Sequence, residues 1–411
     1  MKKNGQRVGI EKIAAYPCSM SLDLTQLARA RGADPDYPPQ TLMASQRSVN
    51  PCWEDPVTMA VNAAAAMLDD QDRQAIEMLV VGTESSPDQG KPISTFIHRF
   101  LDVQPHCRNF ECKHACYGGT AALMTAAHWV ASGAAGDAKA LVICTDQSRM
   151  HLGNPWEYVM GAGAVALLIS NQPDVLEIEL ESSGYWTSEV GDTFRPTSRE
   201  EAGNTENSVY CYLDALDGAL THFEQRAGGA DLADRFARHI YHVPFGAMAY
   251  RAHRAFLRRT RRIGRAEFED DFARRVRPSL TYVAQVGGTY TASTFYSLIG
   301  LVDSDDLSPG DRLAIFSYGS GSCAEIYSAV IGPHARERVS ALDFQRQLDR
   351  RHALTVEQYE AVEGERTAYI DRPTYEPPLG ALEPVYREHY AGKQRLVLRG
   401  LDGFFRQYGW S

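Results

Sequence analysis

Two similar stretches of sequence decide the fold of this chain. They are Tyr117-Gly118-Gly119-Thr120-Ala121-Ala122 and Val286-Gly287-Gly288-Thr289-Tyr290-Thr291-Ala292-Ser293. In each stretch, a pair of glycines opens an apolar segment with helical spacing. Each segment follows an apolar strand that ends in polar residues and precedes a second strand that ends in a polar turn. The sequence therefore predicts two related halves, with chance similarity as the alternative.

Short apolar runs in the chain are typical of buried strands, and longer stretches between several of them have helical spacing. The predicted strands are residues 77–82, 140–144, 165–170, 176–180, 238–243, 313–317 and 325–331, and the predicted helices include 120–131, 212–225 and 291–301. Strands that alternate with helices favour an α/β architecture.

The length of 411 residues would by itself suggest two or three domains. The repeat favours two halves instead, residues 1–172 and 173–338, which would place corresponding strand ends around one shared site. Residues 339–411 are charged and contain prolines, so we predict that they pack on the core as a tail.

The chain has 42 lysines and arginines and 52 aspartates and glutamates, a net charge of −10. A general nucleic-acid binder needs a basic surface, so this class is excluded. No window offers the ~20 uncharged apolar residues of a membrane span, and the first six residues lack the apolar segment of a secretory signal. We expect a cytoplasmic protein in which the eight cysteines stay reduced.

Cys116 lies just before the first glycine pair, at the start of a predicted helix. The positive end of a helix dipole favours a thiolate, so Cys116 is a candidate nucleophile, with an inert buried thiol as the alternative. Cys107, Cys112 and His114 lie close to it, but the paired C-x-x-C spacing of structural zinc sites is missing. No metal site is predicted.

Glu84 and His242 each follow a predicted strand, at the edge where α/β sheets place their ligands. We expect burial to raise the pKa of the Glu84 carboxyl, which suits proton removal near neutral pH. A structural role is the alternative for each residue alone. The coincidence of a thiol, a carboxylate and an imidazole at equivalent positions indicates an active site.

The turn Tyr318-Gly319-Ser320-Gly321-Ser322 offers backbone N–H groups. Together with the Cys116 amide, this turn is a candidate oxyanion hole, and a plain glycine turn is the alternative. Arginines are concentrated in residues 251–277. They indicate either a solvated helix face, balanced by neighbouring acidic residues, or a docking surface for a phosphate or an acidic partner.

These motifs resemble the hydroxymethylglutaryl-CoA synthase family in order and spacing. The resemblance rests on Thr83-Glu84-Ser85, Ala115-Cys116-Tyr117-Gly118-Gly119-Thr120, His242-Val243-Pro244-Phe245, Tyr290-Thr291-Ala292-Ser293 and Phe316-Ser317-Tyr318-Gly319-Ser320-Gly321. It implies the thiolase fold, with two duplicated halves in five α/β/α/β/α layers, and a homodimer. It also implies that Cys116 carries an acetyl group, Glu84 forms the carbanion, and His242 holds and protonates the carbonyl oxygen of the acceptor.

Three features depart from the pattern of the mevalonate-pathway members. Lysines that help hold coenzyme A are replaced by Ala247, Tyr250 and Arg251, and Met150 stands where a tyrosine lines the acyl site. Gly288 stands where an asparagine helps to position the acceptor. Together with Tyr318 and Ser320, Gly288 is predicted to contribute to substrate positioning.

Other segments, such as Asn50-Pro51-Cys52-Trp53-Glu54-Asp55, are similar to the β-branching synthases of polyketide assembly lines. The similarity implies a donor acetyl-acyl-carrier protein, an acceptor carrier protein with a β-ketoacyl chain, and no tightly bound cofactor beyond the phosphopantetheine-linked substrates. Arg251, Arg254 and Arg258 are predicted to dock the acidic carrier proteins. The alternatives are a mevalonate-pathway enzyme that uses coenzyme A thioesters and an inactive carrier-binding scaffold.

Overall fold

The structure, a computed structural model, describes residues 7–149, 152–228 and 232–411. Met150 lies outside these ranges. The strands are β1 Gly9–Tyr16, β2 Met20–Asp23, β3 Gln46–Val49, β4 Ile76–Gly82, β5 Arg108–Cys112, β6 Lys139–Gln147, β7 Ala162–Ser170, β8 Leu176–Thr187, β9 Thr193–Phe194, β10 Ala202–Gly203, β11 Arg238–Tyr241, β12 Arg312–Gly319, β13 Cys323–Ile331, β14 His352–Leu354, β15 Leu396–Asp402 and β16 Phe405–Trp410.

Helices occupy most of the segments between these strands. They are α1 Leu24–Ala30, α2 Pro56–Ala65, α3 Asp70–Ala75, α4 Ser94–Phe100, α5 Gly118–Ala131, α6 Thr205–Ala227, α7 Leu232–Arg235, α8 Gly246–Thr260, α9 Arg265–Arg275, α10 Val283–Val286, α11 Ser293–Ser304, α12 Ala335–Ser340, α13 Phe344–Asp349, α14 Val356–Ala368 and α15 Glu383–His389. Shorter helical turns are Tyr37–Leu42, Pro155–Tyr158, Arg277–Leu280, Tyr290–Ala292 and Gly380–Leu382.

The main sheet has the strand order β11-β12-β13-β8-β1-β7-β6-β4-β5. On the first side, β1 and β6 run antiparallel to β7, and β4 runs parallel to β6. On the second side, β8 and β12 run antiparallel to β13, and β11 runs parallel to β12. The strands of residues 9–170 and 176–331 thus repeat one topology. The exact boundaries of the halves and the tail stay a prediction.

The two sides of the sheet join where β1 meets β8. Only Gly9 and Ile10 pair with β8, opposite Glu177 and Leu176. A Cβ atom on Gly9 would lie 1.9 Å from the carbonyl oxygen of Leu176, so a side chain at this position would separate the two strands. The junction therefore requires glycine.

The core is layered because alternate residues of each strand face opposite sides of the sheet. In β4, Val80 packs in the cluster that contains the buried faces of α5, α6 and α11. Its neighbours Leu79 and Val81 pack instead in the cluster formed with α2 and α4. Helices thus cover both faces of the strands, and α5 and α11 begin at the two glycine-rich stretches.

The C-terminal residues pack against the first half. β14 adds to a small sheet with β2 and β3, where it runs parallel to β2. The hairpin of β15 and β16 is held by the Asn62 side chain, which bonds to both the N–H and the carbonyl group of Leu396. Arg406 and Tyr408 also donate hydrogen bonds to the buried Asp55 carboxylate.

Each strand and helix predicted from the sequence overlaps an observed one. In the main sheet β1 and β5 were not predicted, and neither were the strands of the smaller sheets. β1 was missed because Glu11 and Lys12 interrupt its apolar run. Lys12 bonds to Asp69 and Asp72 in the structure. Among the described residues, no helix is long and apolar enough to cross a membrane.

Candidate active site

One large cavity, with a volume of about 2010 Å³, brings together residues from both halves of the chain. Glu84 lies two residues after β4, Cys116 two residues before α5, and His242 directly after β11. The residues predicted from sequence that line this cavity are Glu84, Cys116, His242, Gly288, Tyr318, Ser320 and Arg251. Arg254 and Arg258 are not part of its lining.

The turn that carries Cys116 is tightly constrained. The N–H of Tyr117 donates to the carbonyl of His114, and Ala115 has a positive φ of 41°, which is strained for a residue with a side chain. Gly319 of the opposite turn packs so closely that a Cβ there would lie 2.4 Å from the carbonyl oxygen of His114. The turn after β12 and the Cys116 turn are therefore in direct contact.

The protonation of Cys116 differs from the prediction. Burial raises the pKa of the thiol well above its ordinary value, and the nearby carboxylate of Glu84 raises it further. The expectation that the helix start would favour a thiolate is therefore wrong for the free protein, because burial and the neighbouring carboxylates outweigh it. In this arrangement the thiol must lose its proton as it attacks.

Glu84 has the raised pKa that the sequence predicts. Burial raises the pKa of its carboxyl to about 8, although the nearby Arg195 guanidinium lowers it. Arg195 Nη2 lies 3.3 Å from Glu84 Oε1, and Arg195 Nη1 donates to the backbone oxygen of Glu84. A carboxylate with such a pKa is suited to accept a proton from carbon near neutral pH.

Asp146 holds the loop that carries Glu84, and its importance was not recognised from the sequence. Its carboxylate is fully buried and accepts hydrogen bonds from the backbone N–H of Glu84 and from the hydroxyls of Thr83 and Ser85. It also accepts from the N–H and the hydroxyl of Thr291 in the other half. Asp146 is the second-last residue of β6, and its position near the end of a strand is the signal that could have identified it.

His242 presents a neutral imidazole to the cavity. Burial lowers the pKa of the ring to about 3. Neither ring nitrogen has a hydrogen-bond partner among the described residues, although the ring is buried. The backbone is fixed, since the His242 N–H donates to Phe316 and its carbonyl accepts from Tyr212. An unpartnered buried imidazole can bind an uncharged polar group of a substrate.

The turn after β12 is organised by Asp192. The Tyr318 hydroxyl donates to Asp192 Oδ2 at 2.6 Å, and the Gly321 N–H donates to Asp192 Oδ1 at 3.0 Å. The Ser322 N–H donates to the carbonyl of Ser188. The N–H groups of Gly321 and Ser322 therefore already donate hydrogen bonds within the protein. Of the predicted oxyanion hole, this leaves the rest of the turn, in which Ser320 lines the cavity.

Gly288 is a point of close backbone packing. Its N–H donates to the carbonyl of Val159, and its own carbonyl accepts from Gly161. A Cβ on Gly288 would lie 2.5 Å from the backbone oxygen of Pro244, two residues after His242. The glycine thus permits a contact that an asparagine in the same backbone position would obstruct.

The arginines of residues 251–277 fall into two groups. Arg259 bonds to Asp217 and Glu224, and others pair with Asp271 or Asp234 within the fold. In contrast, no ion pair or hydrogen bond joins the guanidinium groups of Arg251, Arg254 and Arg258 to the described part of the chain, and all three are exposed on α8. The interpretation of a balanced helix face therefore holds for the paired arginines, and docking by Arg251, Arg254 and Arg258 stays a prediction.

Within residues 7–149, 152–228 and 232–411, no group of three or more His, Cys, Asp or Glu side chains is arranged to hold a metal ion.

The repeated strand order and the shared cavity are those of a thiolase-like enzyme that transfers acyl groups and forms carbon–carbon bonds. The hydroxymethylglutaryl-coenzyme A synthase N-terminal model matches residues 4–174, and the corresponding C-terminal model matches residues 259–380. The chain belongs to the hydroxymethylglutaryl-CoA synthase family, and the predicted fold class is confirmed.

Its relatives include enzymes named for carrier-protein and for coenzyme A substrates. The chain is 35% identical to the polyketide biosynthesis 3-hydroxy-3-methylglutaryl-ACP synthase PksG of Bacillus subtilis, with 98% of this chain and 99% of the relative covered. It is 34% identical to the hydroxymethylglutaryl-CoA synthase of Enterococcus faecalis, with 86% and 91% covered.

The chain is also similar to solved structures of synthases in complex with a donor ACP or with a coenzyme A thioester. The curacin biosynthetic pathway HMG synthase in complex with apo donor-ACP has a TM-score of 0.94 and 40% identity, with 99% of this chain and 100% of that chain covered. MvaS in complex with 3-hydroxy-3-methylglutaryl coenzyme A has a TM-score of 0.87 and 33% identity, with 100% of both chains covered.

Proposed function

We propose that this enzyme is a β-branching synthase that adds an acetyl carbanion, taken from an acetyl-acyl-carrier protein, to the β-ketone of a carrier-bound polyketide intermediate. The observation that carries the proposal is the shared cavity, which holds a thiol, a carboxylate with a pKa near neutrality and a neutral imidazole. The similarity to synthases named for ACP substrates and polyketide pathways supports carrier proteins rather than coenzyme A as the source of both acyl groups.

The first step is acetylation of Cys116. The sulfur attacks the thioester carbonyl of the donor and the carbon–sulfur bond to the donor thiol breaks, so that the donor thiol leaves with the proton lost by Cys116. Because the pKa of the free thiol is raised, this proton must move during the attack. Ser320 and the Cys116 amide are the groups that we propose stabilise the oxyanion.

The second step forms the carbon–carbon bond. The Glu84 carboxylate takes a proton from the methyl group of acetyl-Cys116, and the resulting carbanion attacks the ketone carbon of the acceptor. His242 is neutral, so it donates a hydrogen bond to the ketone oxygen. As the alkoxide forms, the ring passes this proton to it and regains one from solvent, while Glu84 releases to solvent the proton that it took. Gly288 and Tyr318 shape the acceptor side of the cavity.

The third step is hydrolysis. Water attacks the acyl-Cys116 carbonyl and the carbon–sulfur bond breaks. One proton of the water returns to Cys116, the other is released to solvent, and the product gains a carboxylate. The acceptor thioester is unchanged, so the product stays on its carrier protein. The reaction needs no cofactor beyond the two phosphopantetheine-linked substrates. We propose that it takes place in the cytoplasm, in a homodimer of this chain.

Intact-protein mass spectrometry tests the proposal directly. Incubation with acetyl-carrier protein should add about 42 Da, the mass of an acetyl group that replaces hydrogen, and Cys116→Ser should remove this thioester adduct. Labelling by acetyl-CoA at an equal or higher rate would favour a mevalonate-pathway enzyme. No adduct from either donor would favour a binding scaffold.

A further inference from the structure

Arg195 is a buried cation in the connection between β8 and α6. Its side chain is only 12% exposed, although it follows the exposed Phe194. The guanidinium lies over the ring of Tyr290, with its central carbon 4.6 Å from the ring centroid. A guanidinium removed from water in this way is stable only when acidic or other acceptor groups surround it.

The guanidinium joins two buried carboxylates. Arg195 Nε donates to Glu201 Oε2 at 2.9 Å, and Arg195 Nη2 lies 3.3 Å from Glu84 Oε1. Arg195 Nη1 also donates to the backbone oxygen of Glu84 at 2.9 Å. The guanidinium therefore contacts both the backbone and the side chain of Glu84, and its planar, rigid donor set fixes their relative orientation.

We propose that Arg195 is a positioning residue that orients the Glu84 carboxylate for removal of the acetyl proton and favours its anionic form. The hydrogen bond to Glu201 and the packing against the Tyr290 ring hold the guanidinium in place. The inference rests on the proposed function, in which Glu84 is the base.

The charges around Glu84 determine in which direction its pKa should move when Arg195 or Glu201 is replaced. The charged groups that face it are Arg195, Asp146, Glu201 and Arg149. Burial raises the pKa of the Glu84 carboxyl. The charges of Asp146 and Glu201 raise the pKa of Glu84 further, and the charge of Arg195 is the largest influence that lowers it. Loss of the Arg195 charge should therefore raise the pKa of Glu84 above about 8, whereas loss of the Glu201 charge should lower it.

The test is the pH dependence of proton exchange on acetyl-Cys116. Full-length enzyme is first acetylated with a small acetyl thioester and is then transferred to D₂O without an acceptor, between pH 6 and pH 10. Deuterium uptake by the methyl group is measured by mass spectrometry of the Cys116 peptide. The variants are Arg195→Gln, Arg195→Lys, Glu201→Gln and Glu84→Ala.

Arg195→Gln should move the rising limb of the exchange profile upward by about one pH unit or more. Arg195→Lys should restore the pH at which the exchange rate rises, because the positive charge returns. The maximal exchange rate at high pH should stay lower than in the wild type, because one ammonium group cannot make all the contacts of the planar guanidinium. Glu201→Gln should move the limb downward. A role confined to structure would change the unfolding midpoint without these opposite shifts.

An unchanged limb in Arg195→Gln, with Cys116 fully acetylated, would overturn the inference. If Cys116 of Arg195→Gln cannot be acetylated, Glu201→Gln becomes the deciding variant. An exchange rate that rises at the wild-type pH or at a higher pH in Glu201→Gln is equally incompatible with the proposal. Glu84→Ala distinguishes a failure of the proposed base, Glu84, from a failure of the proposed role of Arg195. Exchange at the wild-type rate in this variant would refute the proposed base itself, whereas loss of exchange keeps the test of Arg195 valid.

Discussion

The hydroxyl of Thr291 donates a hydrogen bond of 2.6 Å to Asp146 Oδ2, across the junction of the two halves. The same hydroxyl also lies 3.0 Å from the backbone oxygen of Gly82, at the end of the strand that leads to Glu84. Asp146 in turn accepts from the Glu84 N–H. One threonine of the second half thus fixes the loop of the first half that carries the proposed base.

Thr291→Val should weaken both stability and proton removal. The substitution keeps the shape of the side chain but removes a donor from a buried carboxylate, which should cost about 1–3 kcal/mol in the free energy of unfolding. The exchange rate on acetyl-Cys116 should fall because the Glu84 loop loses one anchor. Denaturant unfolding and deuterium uptake measure the two effects.

The matched control for this change is Thr125→Val. Thr125 is exposed on α5, and its hydroxyl donates to the carbonyl of Ala121 within the same helix. The free energy of unfolding of this variant should stay within about 0.5 kcal/mol of the wild type. Equal losses in the two variants would contradict the special role of the Thr291 hydroxyl.

The pKa of Glu84, raised to about 8 by burial, predicts the pH dependence of carbanion formation. The carboxylate is the active form, so exchange should be slow below pH 7 and should rise roughly tenfold between pH 7 and pH 9. His242 does not titrate in this range, because burial lowers its pKa to about 3. The measurement uses pre-acetylated enzyme, since the raised pKa of Cys116 would otherwise affect the profile. A flat profile from pH 6 to pH 9 would contradict the assignment.

The sequence predicted Glu84 and His242 because each follows a strand, although it did not identify Asp146 near the end of β6. Glu84 follows β4 and His242 follows β11, and both strands overlap strands that the sequence predicted. Arg195 had no such signal, because it follows β9, a strand of only two residues that has no apolar run, and meets a residue 111 positions away in the chain. Contacts of this kind depend on how loops fold over the sheet, which periodicity does not describe.

The free arginines of α8 predict a selective effect on carrier proteins. Arg251, Arg254 and Arg258 are exposed and leave their charge available to an acidic partner. The triple change to glutamate should lower kcat/KM with the acetyl-carrier protein by about tenfold or more, most strongly at low salt, because exposed charges act on association. Acetylation of Cys116 by a small thioester should not change.

Arg108→Glu provides the control for charge reversal. Arg108 is also exposed, but it begins β5, at the opposite edge of the main sheet from β11 and the helix that follows it. Its reversal should leave the reaction with the carrier protein unchanged. The docking face would be disproved if the triple variant kept wild-type kinetics with the carrier-bound donor, or if Arg108→Glu reduced kcat/KM equally.

Gly288→Ala should impair condensation more than acetylation. The added Cβ would lie 2.5 Å from the backbone oxygen of Pro244 and 3.1 Å from that of Val159, so the backbone must move. This should cost about 1–3 kcal/mol in the free energy of unfolding, and the shift of Pro244 would displace His242, which holds the acceptor. Gly191→Ala, also at the cavity, is the control because its Cβ would meet no atom within 4 Å. We expect normal Cys116 acetylation but a reduced kcat for condensation in Gly288→Ala alone, measured with the carrier-bound acceptor. Equal kcat in both variants would show that the Gly288 contact does not position His242.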